Sequence, residues 1–388
     1  MRPLDDIRVL DLADEKGELC GRLLADLGAD VVRVEPPAGA RSRRLPPFAP
    51  DGRTSLYFAF RNANKRGATL DVATPTGAAL LERLAVHFDV LVESYPPGFL
   101  ARCGAAPEKL LADNPALVLT SITDFGQTGP YRDYAGTDLV GFAMGGLLHR
   151  AGAASRPPVV APGALAYDSA GVTAAFATLV AYWKRLRTGR GQHIDVSVME
   201  ATANLSDWAL PSHSQNGQIG KRDGAGIYVL YPCADGFVRM IVLVAHHWKA
   251  LLDWMGTPAE LADPAFEQFL VLLVRRAEID PHIARFFSDK KKIEIACEAQ
   301  RRGIPVTPLL EPGEVLENEH SAARRTFRAL ELAPGLQAQV ATGFLELDGE
   351  RVGPRERAPL AGEHNAQVYG EIGLRAAELE ALRAQGVI

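Results

Sequence analysis

Along the first 125 residues, short runs of branched apolar side chains alternate with stretches of helical periodicity. Residues 7–12 alternate in polarity, and 30–35 (DVVRVE) are rich in β-branched positions, as strands require. Between them, 18–27 carries apolar residues at helical spacing, and Gly28 marks its end. Strand, helix, strand in that order predicts a βαβ opening and a parallel sheet. The alternation continues. Residues 68–72 read as a short strand. Thr74-Pro75 then supplies a cap and a first position for a helix running to about residue 87. Residues 89–93 form a buried strand that ends in Ser94-Tyr95-Pro96-Pro97-Gly98, the kind of loop that faces a ligand in an open α/β sheet. A short helix at 107–114, a strand at 116–123 and a glycine-bearing turn from Asp124 to Pro130 follow. The glycine-rich stretch 138–148 reads as a helix on which something packs closely. The Pro/Arg/Gly-rich segment 36–55 reads as loop.

The longest organised stretch is 163–204. Val172, Phe176, Leu179, Val180 and Trp183 make an apolar stripe, and Lys184, Arg185 and Arg187 form a basic helix end that suits the helix dipole. Gly189 ends the helix, and 193–198 is a strand. Asp168 stands at the head of this helix. Its carboxylate fits an N-cap, accepting a hydrogen bond from an orphan amide. It also fits a nucleophile, with the small residues Ser169, Ala170 and Gly171 behind it and first-turn amides available for developing negative charge. Spacing does not choose between the two.

Beyond residue 205 the pattern changes. The glycine-spaced stretch 217–226 reads as a mobile loop, and 228–232 and 237–244 as strands joined at Asp235-Gly236. Helices are expected at 246–255, 281–287 and 290–302, short strands over 327–347, and a last helix at 375–385. The expected fold is α/β: a parallel sheet in the N-terminal part (1–221) and a smaller α+β domain (222–324), with a C-terminal part (325–388) that either rejoins the first domain or wraps a partner. A length of 388 residues fits two domains.

Composition narrows the function. Net charge is −5, which argues against nucleic acid or an anionic membrane as principal partner. There is no run of about 18 apolar residues and no signal-peptide core, so a cytoplasmic location is expected. The four cysteines (Cys20, Cys103, Cys233, Cys297) are scattered, without metal-ligand or disulfide spacing. The first strand–helix link lacks G-x-G-x-x-G, which disfavours a dinucleotide site. Arg41, Arg43 and Arg44 form either a solvated basic turn or a phosphate-binding patch.

An ordered set of segments carries a resemblance: LLADLGADVVRVEPP (23–37), NKRGATLDV (64–72), DVLVESYPPG (89–98), SITDFGQTGPYRDYAGTD (121–138), YDSAG (167–171), RTGRGQHIDVSVMEA (187–201) and RRGIPVTPLLEPGEVL (301–316). Together they resemble the class III coenzyme A transferases, a group that includes formyl-CoA transferase, carnitine CoA-transferase and α-methylacyl-CoA racemase. The resemblance implies that Asp168 is the catalytic aspartate. It implies a Rossmann-like large domain that holds both chain ends (1–221 with 325–388), a small domain, and an interlocked-ring homodimer with each site between the large domain of one subunit and the small domain of its partner. It implies that Lys65 and Arg102 are basic CoA contacts and that Tyr95 packs against the ligand. Ser94 stands where the family often has asparagine, and Arg41 is a candidate phosphate contact.

The implied chemistry moves CoA from an acyl-CoA thioester to a carboxylic acid through an aspartyl mixed anhydride and an enzyme–CoA thioester. It needs no metal and no cofactor beyond CoA as substrate and product. The sequence departs from the pattern in places. Thr137 stands where the racemases carry a histidine base, and threonine is no base near neutral pH. There is no glycine run between 217 and 236, and the opening loop reads GELCG. The alternatives are therefore an acyl-CoA racemase or epimerase, or a catalytically silent CoA-binding paralogue.

Overall fold

The structure is a computed structural model and describes residues 2–205, 209–219, 222 and 229–388. Most of the glycine-spaced stretch 217–226 thus lies outside the described residues. Two compact units emerge: Met1–Ala151 with Val159–Ile219 and His320–Ile388, and Gly152–Pro158 with Gly220–Glu319.

The first unit is built on six parallel strands: β1 (Arg8–Asp11), β2 (Asp30–Glu35), β3 (Arg66–Thr69), β4 (Val90–Glu93), β5 (Val118–Thr123) and β6 (Gln192–Ser197). Their order is β3-β2-β1-β4-β5-β6, with Leu10 of β1 level with Val32 on one side and Leu91 on the other. Strand residues alternate between two cores. Leu10, Val32, Leu91 and Leu119 pack into one; Val9, Val31, Val90 and Val118 pack into the other. A sheet buried on both faces explains why β2 and β4 are buried almost throughout, the charged Arg33, Glu35 and Glu93 included. Connections wind outward in both directions from β1 and β4. Chains leaving those two strand ends diverge and leave a crevice where the winding reverses.

The helices around the sheet are α1 (Glu18–Asp26), α2 (Leu56–Asn62), α3 (Pro75–Ala85), α4 (Phe99–Cys103), α5 (Pro107–Asp113), α6 (Asp138–Met144), α7 (Leu165–Thr188) and α8 (Val198–Asn204). Thr74 caps α3 through its hydroxyl and Pro75 opens it, as the sequence predicts. The C-terminal segment packs into the first core through Val368, Tyr369, Leu379 and Val387, and the Tyr369 hydroxyl donates to the Thr69 carbonyl at 2.6 Å.

Three sequence expectations change. Helix α2 was not expected. It is a seven-residue helix at the edge of the segment read as loop, and Ser55 caps it. The apolar stripe of α7 faces outward: Phe176 and Trp183 are 69% and 65% exposed. The buried face of α7 is instead Ala166, Ala170, Gly171, Ala174, Thr178 and Ala181. Small residues win that face because α7 lies close against α1. A side chain starting at Gly171 would come within 2.9 Å of Leu19 Cβ. Finally, the helix expected at 281–287 begins earlier, spanning Arg276–Phe287 with Pro281 inside it.

The second unit has a three-stranded antiparallel sheet (Val229–Cys233, Gly236–Met240, Val306–Pro308). Its core is aromatic, with Trp248, Phe266 and Phe287 fully buried.

Candidate active site

The helix α7 has no capping side chain at its own N-cap position, Ala164. The cap comes from another element. Asp138, first residue of α6, accepts the amides of Ala166 and Tyr167 on one oxygen, at 2.9 and 3.0 Å. Burial raises the Asp138 pKa, the two amides work against that, and the charge of Asp168 adds to it. The N-cap reading of Asp168 is therefore overturned, because Asp138 does that work. Asp168 lies in the first turn, its amide bonded to the Ala164 carbonyl at 2.8 Å, and its carboxylate is about one-third exposed.

The expectation that first-turn amides would receive an oxyanion also changes. Those of Ala166 and Tyr167 are taken by Asp138. The amides after Asp168 lie inside the helix, where each bonds a carbonyl four residues back.

Facing Asp168 is Arg61, from the last turn of α2. Its Nη2 lies 2.6 Å from Asp168 Oδ1, and its guanidinium carbon sits 4.4 Å from the centroid of the Tyr57 ring. The contact is an ion pair without an aligned hydrogen bond: Asp168 Oδ1 and Arg61 Nη1 are both buried and lack hydrogen-bond partners among the described residues. Tyr57 is held in turn by its hydroxyl donating to the Glu15 carbonyl at 3.2 Å.

Beyond the carboxyl ends of β4 and β5 lies a cleft of about 380 Å³. Ser94, Tyr95, Pro96 and Pro97 wall it from the end of β4, Thr123, Asp124 and Gly136 from beyond β5, and Lys16 from beyond β1. The sequence thus brings Ser94, Tyr95 and Arg102 to one place. Tyr95 stacks on Phe99 at 4.6 Å. The Ser94 hydroxyl is committed inside the protein: it accepts from the Asp14 amide at 2.7 Å and donates to Asp14 Oδ1 at 2.6 Å, which ties the β4 and β1 loops together. Arg102 is exposed, and its guanidinium converges with that of Arg132. Their nearest nitrogens lie 3.3 and 3.8 Å from the point where a side chain on Gly98 would begin. Gly98 has φ of 75°, which a side chain resists. Both already have protein partners, Arg102 the Pro97 carbonyl at 3.4 Å and Arg132 the Asp133 carboxylate at 3.4 Å, and together they concentrate positive charge beside Gly98.

Lys16 shares the cleft. Burial disfavours its charge, but Asp14, Asp124 and Glu15 outweigh that and raise its pKa. At the base of the cleft wall, Glu93 is buried, and desolvation pushes its pKa up to about 7.

Lys65 is elsewhere. Its ammonium is fully buried and donates to Asp11 Oδ2 at 2.7 Å, to the Glu18 carbonyl at 2.9 Å and to Asn62 Oδ1 at 2.9 Å. A lysine with three protein partners and no exposed surface does not reach a phosphate. The expected CoA contact is replaced by a structural one, within a network that includes Arg33 and Glu18. Arg43 likewise is bound to Glu35 through two nitrogens. Arg41 pairs with Glu15 at 3.1 Å and is not among the cleft's lining residues.

Sequence reasoning missed Arg61, Arg132, Lys16 and the role of Asp138. Arg132 stands in a quoted segment, and its charge beside the glycine turn was the available signal. Arg61 gave none, because its helix is too short to show a period.

The doubly wound sheet places the protein among the α/β folds whose ligands bind beyond the carboxyl ends of the strands; Asp168, at its helix head, is not among the residues lining the cleft. Residues 4–365 match CoA-transferase family III, and the chain belongs to that family. A probable CoA-transferase of Mycobacterium tuberculosis, Rv1866, is 36% identical over 370 residues, covering 92% of this chain and 46% of that protein; the chain spans about half its length. The succinyl-CoA–D-citramalate CoA-transferase of Chloroflexus aurantiacus is 33% identical over 100% of this chain and 98% of its own. Among solved structures, a CAIB/BAIF family protein from Brucella suis superposes with a TM-score of 0.86 at 28% identity, covering 96% of this chain and 99% of that one.

Proposed function

We propose that the protein transfers coenzyme A from an acyl-CoA thioester to a carboxylic acid, with Asp168 as nucleophile. One observation carries the reading: at the head of α7, Asp168 is relieved of capping by Asp138 and presents a partly exposed carboxylate. A carboxylate oxygen attacks the thioester carbonyl, the C–S bond breaks, and the CoA thiolate leaves with the electron pair. The thiolate then attacks the Asp168 carboxyl carbon of the mixed anhydride, releasing the first acid and leaving an enzyme thioester. An incoming carboxylate reverses the two steps. Arg102 and Arg132 are the proposed phosphate contacts, and Tyr95, stacked on Phe99, offers an apolar wall to the ligand.

Where a racemase would place its second base stands Thr137. Its hydroxyl accepts the Val140 amide at 3.3 Å and caps α6. The experiment is exchange of labelled CoA between acyl-CoAs and free acids, with hydroxylamine trapping at Asp168. Transfer by wild type and none by Asp168→Ala is expected; unchanged turnover in Asp168→Ala refutes the reading.

The outer face of α7 supports the further proposal of a homodimer, whose interlocked chains are what the family resemblance implies. Val172, Phe176, Val180, Trp183 and Leu186 are all more than half exposed and follow one another at helical spacing. An apolar stripe of that length on a single chain marks a surface that another protein covers. Sedimentation at micromolar concentration is the test, with a dimer mass expected and a monomer mass refuting it.

A further inference from the structure

Arg61 is 7% exposed in its side chain, and Asp168 is the anion that touches it. Asp138, the neighbouring carboxylate, already has one oxygen committed to two amides. A buried guanidinium needs a counter-charge, because nothing else replaces the water it has lost. In the resting protein Asp168 supplies that charge.

The transferase reading, on which this inference rests, removes it. When Asp168 becomes a mixed anhydride, and again when it becomes a thioester, its carboxylate is neutral. The balance is explicit. In the first step the aspartate's negative charge passes to the CoA thiolate. In the second, the thiolate attacks the Asp168 carboxyl carbon, the bond from that carbon to the bridging oxygen breaks, and the electron pair leaves on the released acid. At the thioester stage the negative charge has therefore moved from Asp168 to a free carboxylate beside it. The guanidinium has been without a charged partner since the anhydride formed, and a free carboxylate now appears beside it.

We propose that Arg61 is the binding residue for the free acid: it holds Asp168 in the resting protein and the acid's carboxylate once Asp168 is esterified. The geometry suits the exchange. Arg61 has one terminal nitrogen on Asp168 and a second, Nη1, buried and without a hydrogen-bond partner among the described residues. A guanidinium presents two parallel donors matched to a carboxylate. The Tyr57 ring, 4.4 Å away, fixes the plane of the fork. A carboxylate on that fork lies against the Asp168 carbonyl carbon it must attack, which is the orientation that speeds the step. In the resting protein the charge of Asp168 repels the acid, so the acid binds only after acyl-CoA has reacted.

The test separates this inference from the transferase reading. Asp168→Asn is neutral and of the same size, and it stands for the esterified state. Succinate and acetate are titrated calorimetrically into wild type, Asp168→Asn, and Asp168→Asn combined with Arg61→Met or Arg61→Lys. Binding at least about tenfold tighter in Asp168→Asn than in wild type is expected, a difference of about 1.4 kcal/mol. It should be lost with Arg61→Met and partly kept with Arg61→Lys. Equal binding by wild type and Asp168→Asn overturns the proposal, as does an undiminished gain with Arg61→Met. No turnover is involved, so this result stands whatever the transferase assay shows.

In kinetics, Arg61→Lys should raise the KM for the acceptor acid while acyl-CoA still labels Asp168. Labelling with an unchanged acceptor KM overturns the role of Arg61 alone, and no labelling in wild type overturns the transferase reading instead. Should Arg61→Met fail to fold by circular dichroism, Arg61→Lys, which keeps the charge, carries the comparison.

Discussion

Glu93 gives the sharpest stability prediction. It is 3% exposed, its Oε2 accepts the Tyr95 amide at 2.8 Å, and burial pushes its pKa from 4.5 to about 7. Below pH 4.5 both folded and unfolded chains carry the proton, and this residue adds no pH dependence. Between 4.5 and 7 the unfolded chain releases the proton while the native protein keeps it. Stability therefore falls as pH rises through that window and levels off above it. The shift of about 2.5 units corresponds to roughly 3 kcal/mol. Glu93→Gln keeps an acceptor for the Tyr95 amide but cannot ionise. The difference in unfolding free energy between variant and wild type should grow in the variant's favour by about 3 kcal/mol from pH 4.5 to pH 8. Urea titrations followed by circular dichroism at several pH values measure it, using the transition of the unit that carries Glu93. Other carboxylates titrate in both proteins and cancel in the difference. A difference that stays constant across the range refutes the reasoning.

Other predictions follow from particular contacts. Lys65→Met should destabilise by about 3 kcal/mol, because it strips the buried Asp11 of its ammonium. The folded fraction should keep its KM for acyl-CoA, as thermal melts and initial rates will show. Arg102→Ala should do the reverse, raising that KM by about tenfold while leaving the melting temperature within about 1 °C, as exposed substitutions do. Asp138→Ala should cost about 1–2 kcal/mol through loss of the α7 cap, read by denaturant titration, and Asp138→Asn should recover most of it. Phe176→Glu with Trp183→Glu should lower the sedimenting mass if the α7 stripe is covered by a second chain; an unchanged mass would remove that face from the interface.

The sheet was legible because its signal is local. DVVRVE and DVLVE carry branched apolar side chains on both faces, and the caps at Thr74 and Gly189 adjoin the helices they serve. The orientation of α7 was not, because periodicity shows that an apolar stripe exists and not what it faces. The alanines opposite it were the buried side. Lys65 misled for a similar reason: its partner Asp11 is 54 residues away, and no reading of NKRG reveals it. Asp168 was singled out correctly as the head of a helix, but the residue that caps that helix, Asp138, lies 28 positions before the Ala166 amide it accepts, in another helix. Charge pairs that close through space decide which polar residues are free for a ligand, and a linear reading sees only candidates.

The strap from Gly136 to Asp138 ties two places together. Gly136 is part of the cleft wall, and Asp138 grips the amides that immediately precede Asp168. A molecule wedged into the crevice therefore leans on the same short lever that aims the reacting oxygen. On the proposed mechanism, filling the cleft and placing the Asp168 carboxylate would be coupled through those three residues.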